Sequence, residues 1–129
     1  MEFVNLTRHT GIGSNCYWLS VGGKNIILDA GSDPKVDGIG STPDLRPLPP
    51  GTVDAIIITH AHQDHIGSLP VVTRQEQRCP VFMTPATAAI ATIMLHNSVN
   101  VMMRQREELG LMEYPLYTHR SVDLCAQSW

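Results

Sequence analysis

Apolar positions along the chain fall into short runs punctuated by glycine and proline, and their spacing shifts from strand-like to helical. Glu2 to Thr7 places Phe3, Val4 and Leu6 in a first short strand. Cys16-Tyr17-Trp18-Leu19-Ser20-Val21 and Asn25-Ile26-Ile27-Leu28-Asp29 flank Gly22-Gly23-Lys24. This arrangement predicts a hairpin, because glycines supply the positive φ angles that tight turns need. Val53 to Ile58 is almost continuously apolar, which suits a strand buried on both faces. Gly67 to Arg74 reads as a helix, with Pro70 acceptable only in its first turn. Val81-Phe82-Met83 is a further strand. Thr84-Pro85 then opens a helix running to about Met103, with threonine as N-cap and proline at the first helical position. Arg104 to Glu113 is charged and ends near Gly110, and Thr118 caps a last helix from about His119 to Ser128. Strand, hairpin, strand, helix, strand, helix is the order of half an α/β layered sandwich.

The segment Ser32 to Thr52 interrupts this pattern with Pro34, Pro43, Pro47, Pro49 and Pro50. A connection of this length in a compact domain often borders a functional site. The chain of 129 residues fits one domain on the usual scale of ~100–200 residues. It contains no uninterrupted run of 18 apolar residues, so no membrane span is expected. Met1 to Asn5 lacks the basic and apolar regions of a secretory signal. Cys16, Cys79 and Cys125 are odd in number and widely spaced, which predicts reduced, buried thiols and a cytoplasmic location. The net charge is −3 and the nine basic residues are scattered, so charge patterning gives no support for nucleic-acid binding. Gly11-Ile12-Gly13 fits no phosphate-cradling pattern, since a strand follows it.

The chemistry concentrates in Thr59-His60-Ala61-His62-Gln63-Asp64-His65, directly after the apolar run ending at Ile58. Imidazole suits Zn²⁺, Fe or Mn, and a carboxylate adds affinity for hard divalent ions. In an extended chain, residues two apart point the same way, about 6.6 Å from one another. His60 and His62 can therefore lean toward one ion. Asp64 and His65 are adjacent and need a turn before both reach a common ion, which is more naturally a second one. The expectation is that all four side chains converge at the C-terminal end of the Val53–Ile58 strand. His96 lies in a helix without ligand-type neighbours and reads as structural. His9 and His119 are isolated, and neither is expected to bind metal.

His60-x-His62-x-Asp64-His65 resembles the HxHxDH motif of the metallo-β-lactamase superfamily. The wider stretch Ile58 to Pro70, and Phe82-Met83-Thr84-Pro85-Ala86-Thr87, are similar to the β-CASP RNA-processing branch, of ribonuclease J and cleavage-and-polyadenylation endonuclease type. Leu28-Asp29-Ala30-Gly31 is similar to the superfamily's first motif, in which the aspartate hydrogen-bonds and orients the metal-binding loop. The resemblance implies the first half of an αββα sandwich, with a mixed sheet carrying helices on one side. It implies two Zn²⁺ ions, with Mn²⁺ or Fe²⁺ as other candidates, held by His60 and His62 and by Asp64 and His65. Asp64 would also steer the nucleophilic water, and the substrate would be RNA.

The superfamily's remaining metal ligands come from later segments, and nothing in Leu116 to Trp129 matches them. The expectation is therefore that residues 1–129 are the N-terminal part of a longer metallo-β-lactamase-like domain. Alone, they would bind metal weakly and hydrolyse nothing at a useful rate. Half a sandwich would leave an apolar sheet face uncovered, which invites homo-oligomerisation. The leading functional expectation is a metal-dependent RNA phosphodiesterase. The alternatives are another hydrolase of the superfamily, acting on a thioester or lactam, and an inactive fragment or interaction module.

Overall fold

A computed structural model describes residues 1–8, 11 and 13–129. His9 and Ile12 lie outside the described residues, and with them the expectations placed on them. The core element is a five-stranded sheet in sequential order. Its strands are β1 (Glu2–Asn5), β2 (Tyr17–Val21), β3 (Lys24–Leu28), β4 (Ala55–Ile57) and β5 (Val81–Phe82). β1, β2 and β3 pair antiparallel, and β3, β4 and β5 pair parallel, so the sheet is mixed. Val21 pairs with Lys24 across a loop of Gly22 and Gly23, with φ of 58° and 77°. Two consecutive positive φ angles match the right-handed twist of the flanking strands. The expected hairpin is present with that turn.

The parallel half requires crossovers. The β3–β4 connection is the proline-rich segment, which holds a short 3-10 turn at Gly38–Ser41. The β4–β5 connection carries two helices, α1 (Gln63–Ile66) and α2 (Leu69–Gln75). The sequence predicts only one helix here, from Gly67. The break falls at Gly67, where an added Cβ would crowd the Ser32 hydroxyl and the Gln63 amide. Pro70, second in α2, has no N–H to donate. After β5 come α3 (Pro85–Leu109) and α4 (His119–Ala126). Thr84 caps α3 by accepting from the Thr87 N–H, and Thr118 forms a capping box with Ser121. α3 runs past Met103 to Leu109, because its charged last turns continue the helix until Gly110 takes a left-handed φ of 68°. By length and composition α3 is apolar enough to cross a bilayer. Its buried residues Thr87, Ala91, Leu95, Val99 and Met102 recur at three and four positions, the stripe of a helix packed on a core.

The helices cover one face of the sheet. Ile27, Ile56 and Val81 point into it and are buried with Leu95, Val99, Leu69, Val72 and Val122. Val53–Ile58 does not have the two buried faces its sequence predicts: Ile56 is inaccessible, yet Ile57 is 38% exposed. Period-two alternation puts Phe3, Ile57 and Phe82 on the other face, where Phe82 is 57% exposed and Phe3 is 60% exposed beside Tyr17. The apolar run reflects a strand with greasy residues on both sides, of which only one side is packed here.

All three cysteines are free and buried. Loss of hydration pushes the Cys16 thiol up to about 12 and the Cys79 thiol up to about 11, and raises that of Cys125. The native protein is therefore expected to resist a thiol-specific reagent at pH 8 and to release three thiols on denaturation. Rapid native-state labelling of one equivalent would show that a cysteine is exposed.

Candidate metal centre

The strand order places the C-terminal ends of β3 and β4 side by side, and the loops leaving them build the site. Asp29 follows β3 and is the one non-glycine residue with positive φ, 63°, among the described residues. Aspartate tolerates this left-handed region better than most residues, and strained backbone persists where the surroundings hold it. Asp29 is 4% exposed. Its N–H donates to Ile57 O, which extends the parallel ladder by one rung. Its carboxylate then faces the loop after β4.

That carboxylate accepts three kinds of hydrogen bond. Oδ1 accepts from the Thr59 N–H at 2.8 Å, the Thr59 hydroxyl lies 2.9 Å from Oδ2, and His65 Nδ1 lies 2.8 Å from Oδ2. An ionised carboxylate can only accept, so His65 donates from Nδ1, and the neutral ring keeps its lone pair on Nε2. The same reasoning reaches His60 through one intermediary. Thr59 has a single hydroxyl proton and gives it to Asp29. At 3.0 Å from His60 Nδ1, the hydroxyl oxygen must then accept. His60 therefore also carries Nδ1–H and presents Nε2. One buried carboxylate sets the tautomer of both rings.

The ligand atoms converge. His60, His62 and Asp64 each offer a ligand atom, and these atoms all lie within 4.8 Å of one another. The His65 ring packs 3.9 Å from the His60 ring, and its Nε2 is 3.6 Å from Asp64 Oδ2. The structure thus brings together all four side chains named from the sequence. Asp64 groups with His60 and His62 and also stands against His65. His62 supplies the turn that an extended chain lacks. Its backbone is extended, and its carbonyl accepts from His65 N and Ile66 N, starting α1.

The loops are clamped backbone to backbone. Ala30 N–H donates to His65 O, Ser32 N–H to Gln63 O, and Ser68 N–H to Ala30 O. Gly31 lies so close that an added Cβ would overlap the Asp64 carbonyl. Sequence reasoning missed two residues here. Thr59 relays Asp29 to His60, and a threonine ending a strand carries no sign of that. Asn15 donates from its backbone and side chain to Asp64 O at 3.0 Å, while its Oδ1 accepts from Tyr17 O–H. It lies 49 residues from Asp64, beyond the reach of local pattern.

A family model described as the metallo-beta-lactamase superfamily matches residues 9–88. The chain belongs to the metallo-β-lactamase superfamily. It is 39% identical over 102 residues to "Endoribonuclease ysh-1" of Neurospora crassa, covering 78% of this chain and 12% of that protein. It is 37% identical over 91 residues to "Cleavage and polyadenylation specificity factor subunit 3-I" of Arabidopsis thaliana, covering 70% of this chain and 13% of that one. A solved human tRNase Z, short form, aligns with a TM-score of 0.49 at 18% identity, over 86% of this chain and 41% of that chain. The chain thus spans about an eighth of the curated relatives it matches.

The geometry around Asp29 makes two outcomes specific. In the longer protein Asp29→Ala should cost about 10–100-fold in divalent-metal affinity by calorimetry, as loss of a ligand-orienting partner does elsewhere. Unchanged affinity would reduce Asp29 to a turn residue. Gly31→Ala should lower stability by roughly 1–3 kcal/mol, the usual cost of overpacking, and weaken Zn²⁺ binding with it. A variant with unaltered thermal midpoint and affinity would show that the two loops are not clamped there.

Proposed function

We propose that His60, His62, Asp64 and His65 are metal ligands of a metal-dependent hydrolase, and that its longer form is an RNA phosphodiesterase of the β-CASP type. The observation carrying this reading is the ligand-type cluster within a stretch 39% identical to an endoribonuclease. That stretch is long enough to contain the His60–His65 loop wherever it begins. The donor set fits a Zn²⁺ ion: imidazole nitrogens and a carboxylate whose ligand atoms lie within 4.8 Å of one another. Mn²⁺ and Fe²⁺ are compatible with the same donors.

When bound, a divalent ion at such donors lowers the pKa of coordinated water toward ~7 and polarises the scissile phosphoryl group. The residues of this chain supply the rest. Asp29 and Thr59 engage Nδ1 of His65 and His60, which leaves Nε2 of each neutral ring free for a ligand bond. Asp64, half-buried in the first turn of α1, is the carboxylate placed to accept a hydrogen bond from the attacking water. Its backbone carbonyl is fixed by Asn15, which limits how far its side chain can wander. The buried free thiols support residence in a reducing compartment such as the cytoplasm.

The proposal separates the part from the whole. Residues 1–129 alone should bind Zn²⁺ weakly at the His60–His65 loop and leave single-stranded RNA intact. The longer form should cleave the RNA, with turnover lost in His62→Ala. Cleavage of a thioester or lactam but not of RNA by the longer form would overturn the substrate assignment. Tight binding of two ions at the His60–His65 loop of the 129-residue chain, with turnover abolished by His62→Ala, would show that its ligand set is sufficient by itself.

A further inference from the structure

Read along the chain, His96 and His119 are isolated, 23 residues apart, but the fold joins them. His96 projects from the middle of α3, and His119 is the first residue of α4. Their Nδ1 atoms are 2.7 Å apart, their ring centroids 5.0 Å apart and their planes 21° apart. With nitrogens so close and centroids so far, the rings meet edge to edge through those two atoms. Each ring's other nitrogen is engaged as well. His96 Nε2 lies 3.1 Å from Asp123 Oδ1, and His119 Nε2 lies 3.1 Å from Asn100 Oδ1.

The proton positions follow from the acceptors. Asp123 can only accept, so His96 donates from Nε2, and the neutral ring aims its Nδ1 lone pair at His119. The Asn100 oxygen imposes the same choice on His119. Two lone pairs then face each other, an arrangement that a cation between them relieves. The supporting pairs have helical spacing: His96 and Asn100 are four apart on α3, and His119 and Asp123 four apart on α4. Each helix thus presents one ligand and one group that holds the opposite helix's ligand from behind. A carboxylate behind a ligating imidazole raises its basicity and fixes its tautomer.

We propose that His96 and His119 form a second metal site, binding one late first-row divalent ion such as Zn²⁺ or Cu²⁺ through both Nδ1 atoms. Asp123 and Asn100 orient the rings, and water completes the coordination. None of the ligands of the His60–His65 loop takes part, so the site stands or falls independently of the proposed hydrolase centre. Zn–N bonds of about 2.0–2.1 Å in tetrahedral geometry place the two nitrogens about 3.3 Å apart. The rings must therefore separate by roughly half an ångström from their present 2.7 Å and each turn so that its lone pair meets the ion off the line between the two nitrogens. His119 is exposed and the His96 side chain is 30% exposed, so a small rotation meets little packing. The bound ion would tie α4 to α3.

The test is a Zn²⁺ titration of the ¹⁵N-labelled 129-residue chain, followed through long-range histidine ring spectra. His96→Ala and His119→Ala assign the signals. Zn²⁺ should shift both Nδ1 resonances together while both Nε2–H protons are retained. The response should survive His62→Ala, weaken at least tenfold in His119→Ala, and weaken about 10–100-fold in Asp123→Asn. Calorimetry in the His62→Ala background should show Cu²⁺ binding more tightly than Zn²⁺ at this site. The proposal is overturned if Zn²⁺ leaves both Nδ1 resonances in place or binds through Nε2. It is equally overturned if the rings form a neutral pair, with Asn100 reversed and His119 Nδ1–H filling the gap, that Zn²⁺ does not disturb.

Discussion

A buried carboxylate needs partners, and Asp29 has just enough of them in one place. Withdrawn from water, it would be costly without compensating donors. Thr59 N–H, the Thr59 hydroxyl and His65 Nδ1 supply them. Each of those donors belongs to the loop that carries the candidate ligands. The demand that stabilises Asp29 therefore also fixes where His65 points, which nitrogen it protonates, and, through Thr59, which nitrogen His60 protonates. The left-handed backbone at Asp29 is part of this constraint: it turns the chain so that the carboxylate leaves the end of β3 facing β4's loop.

The second constraint is closeness. The segment after β3 runs against the segment after β4 with alternating backbone hydrogen bonds, and Gly31 allows the approach because any side chain there would strike the Asp64 carbonyl. Sheet order makes this possible. β3 and β4 are parallel neighbours, so both loops emerge at the same end. Parallel strands with crossover helices repeatedly place chemistry at their C-terminal ends. The helices pack on one face of the sheet, and the opposite face keeps Phe3, Ile57 and Phe82 at the surface.

Much of this was legible in the sequence, for identifiable reasons. The Gly22-Gly23 turn, the Thr84 cap and the Thr118 cap are local signals, and each sits where it was expected. The His60–His65 cluster is dense enough to be seen without structure, and the Leu28-Asp29-Ala30-Gly31 resemblance pointed to Asp29. What was illegible is non-local or one-sided. An apolar run cannot tell whether one or both of its faces will be covered, so Ile57 was misjudged. A single turn of helix, α1, lacks the length that periodicity needs. Thr59, Asn15, and the meeting of His96 with His119 depend on pairings across the fold that no spacing encodes.

The central claim is that Asp29 dictates the tautomers of His60 and His65, and one measurement addresses it directly. Long-range ¹H–¹⁵N spectra of the metal-free protein, recorded at a pH where both rings are neutral, report which nitrogen carries each proton. The account predicts Nδ1–H on both His60 and His65, with both rings released to mixed tautomers in Asp29→Ala. An Nε2–H on either ring in the unaltered protein, or tautomers unmoved by Asp29→Ala, would contradict it.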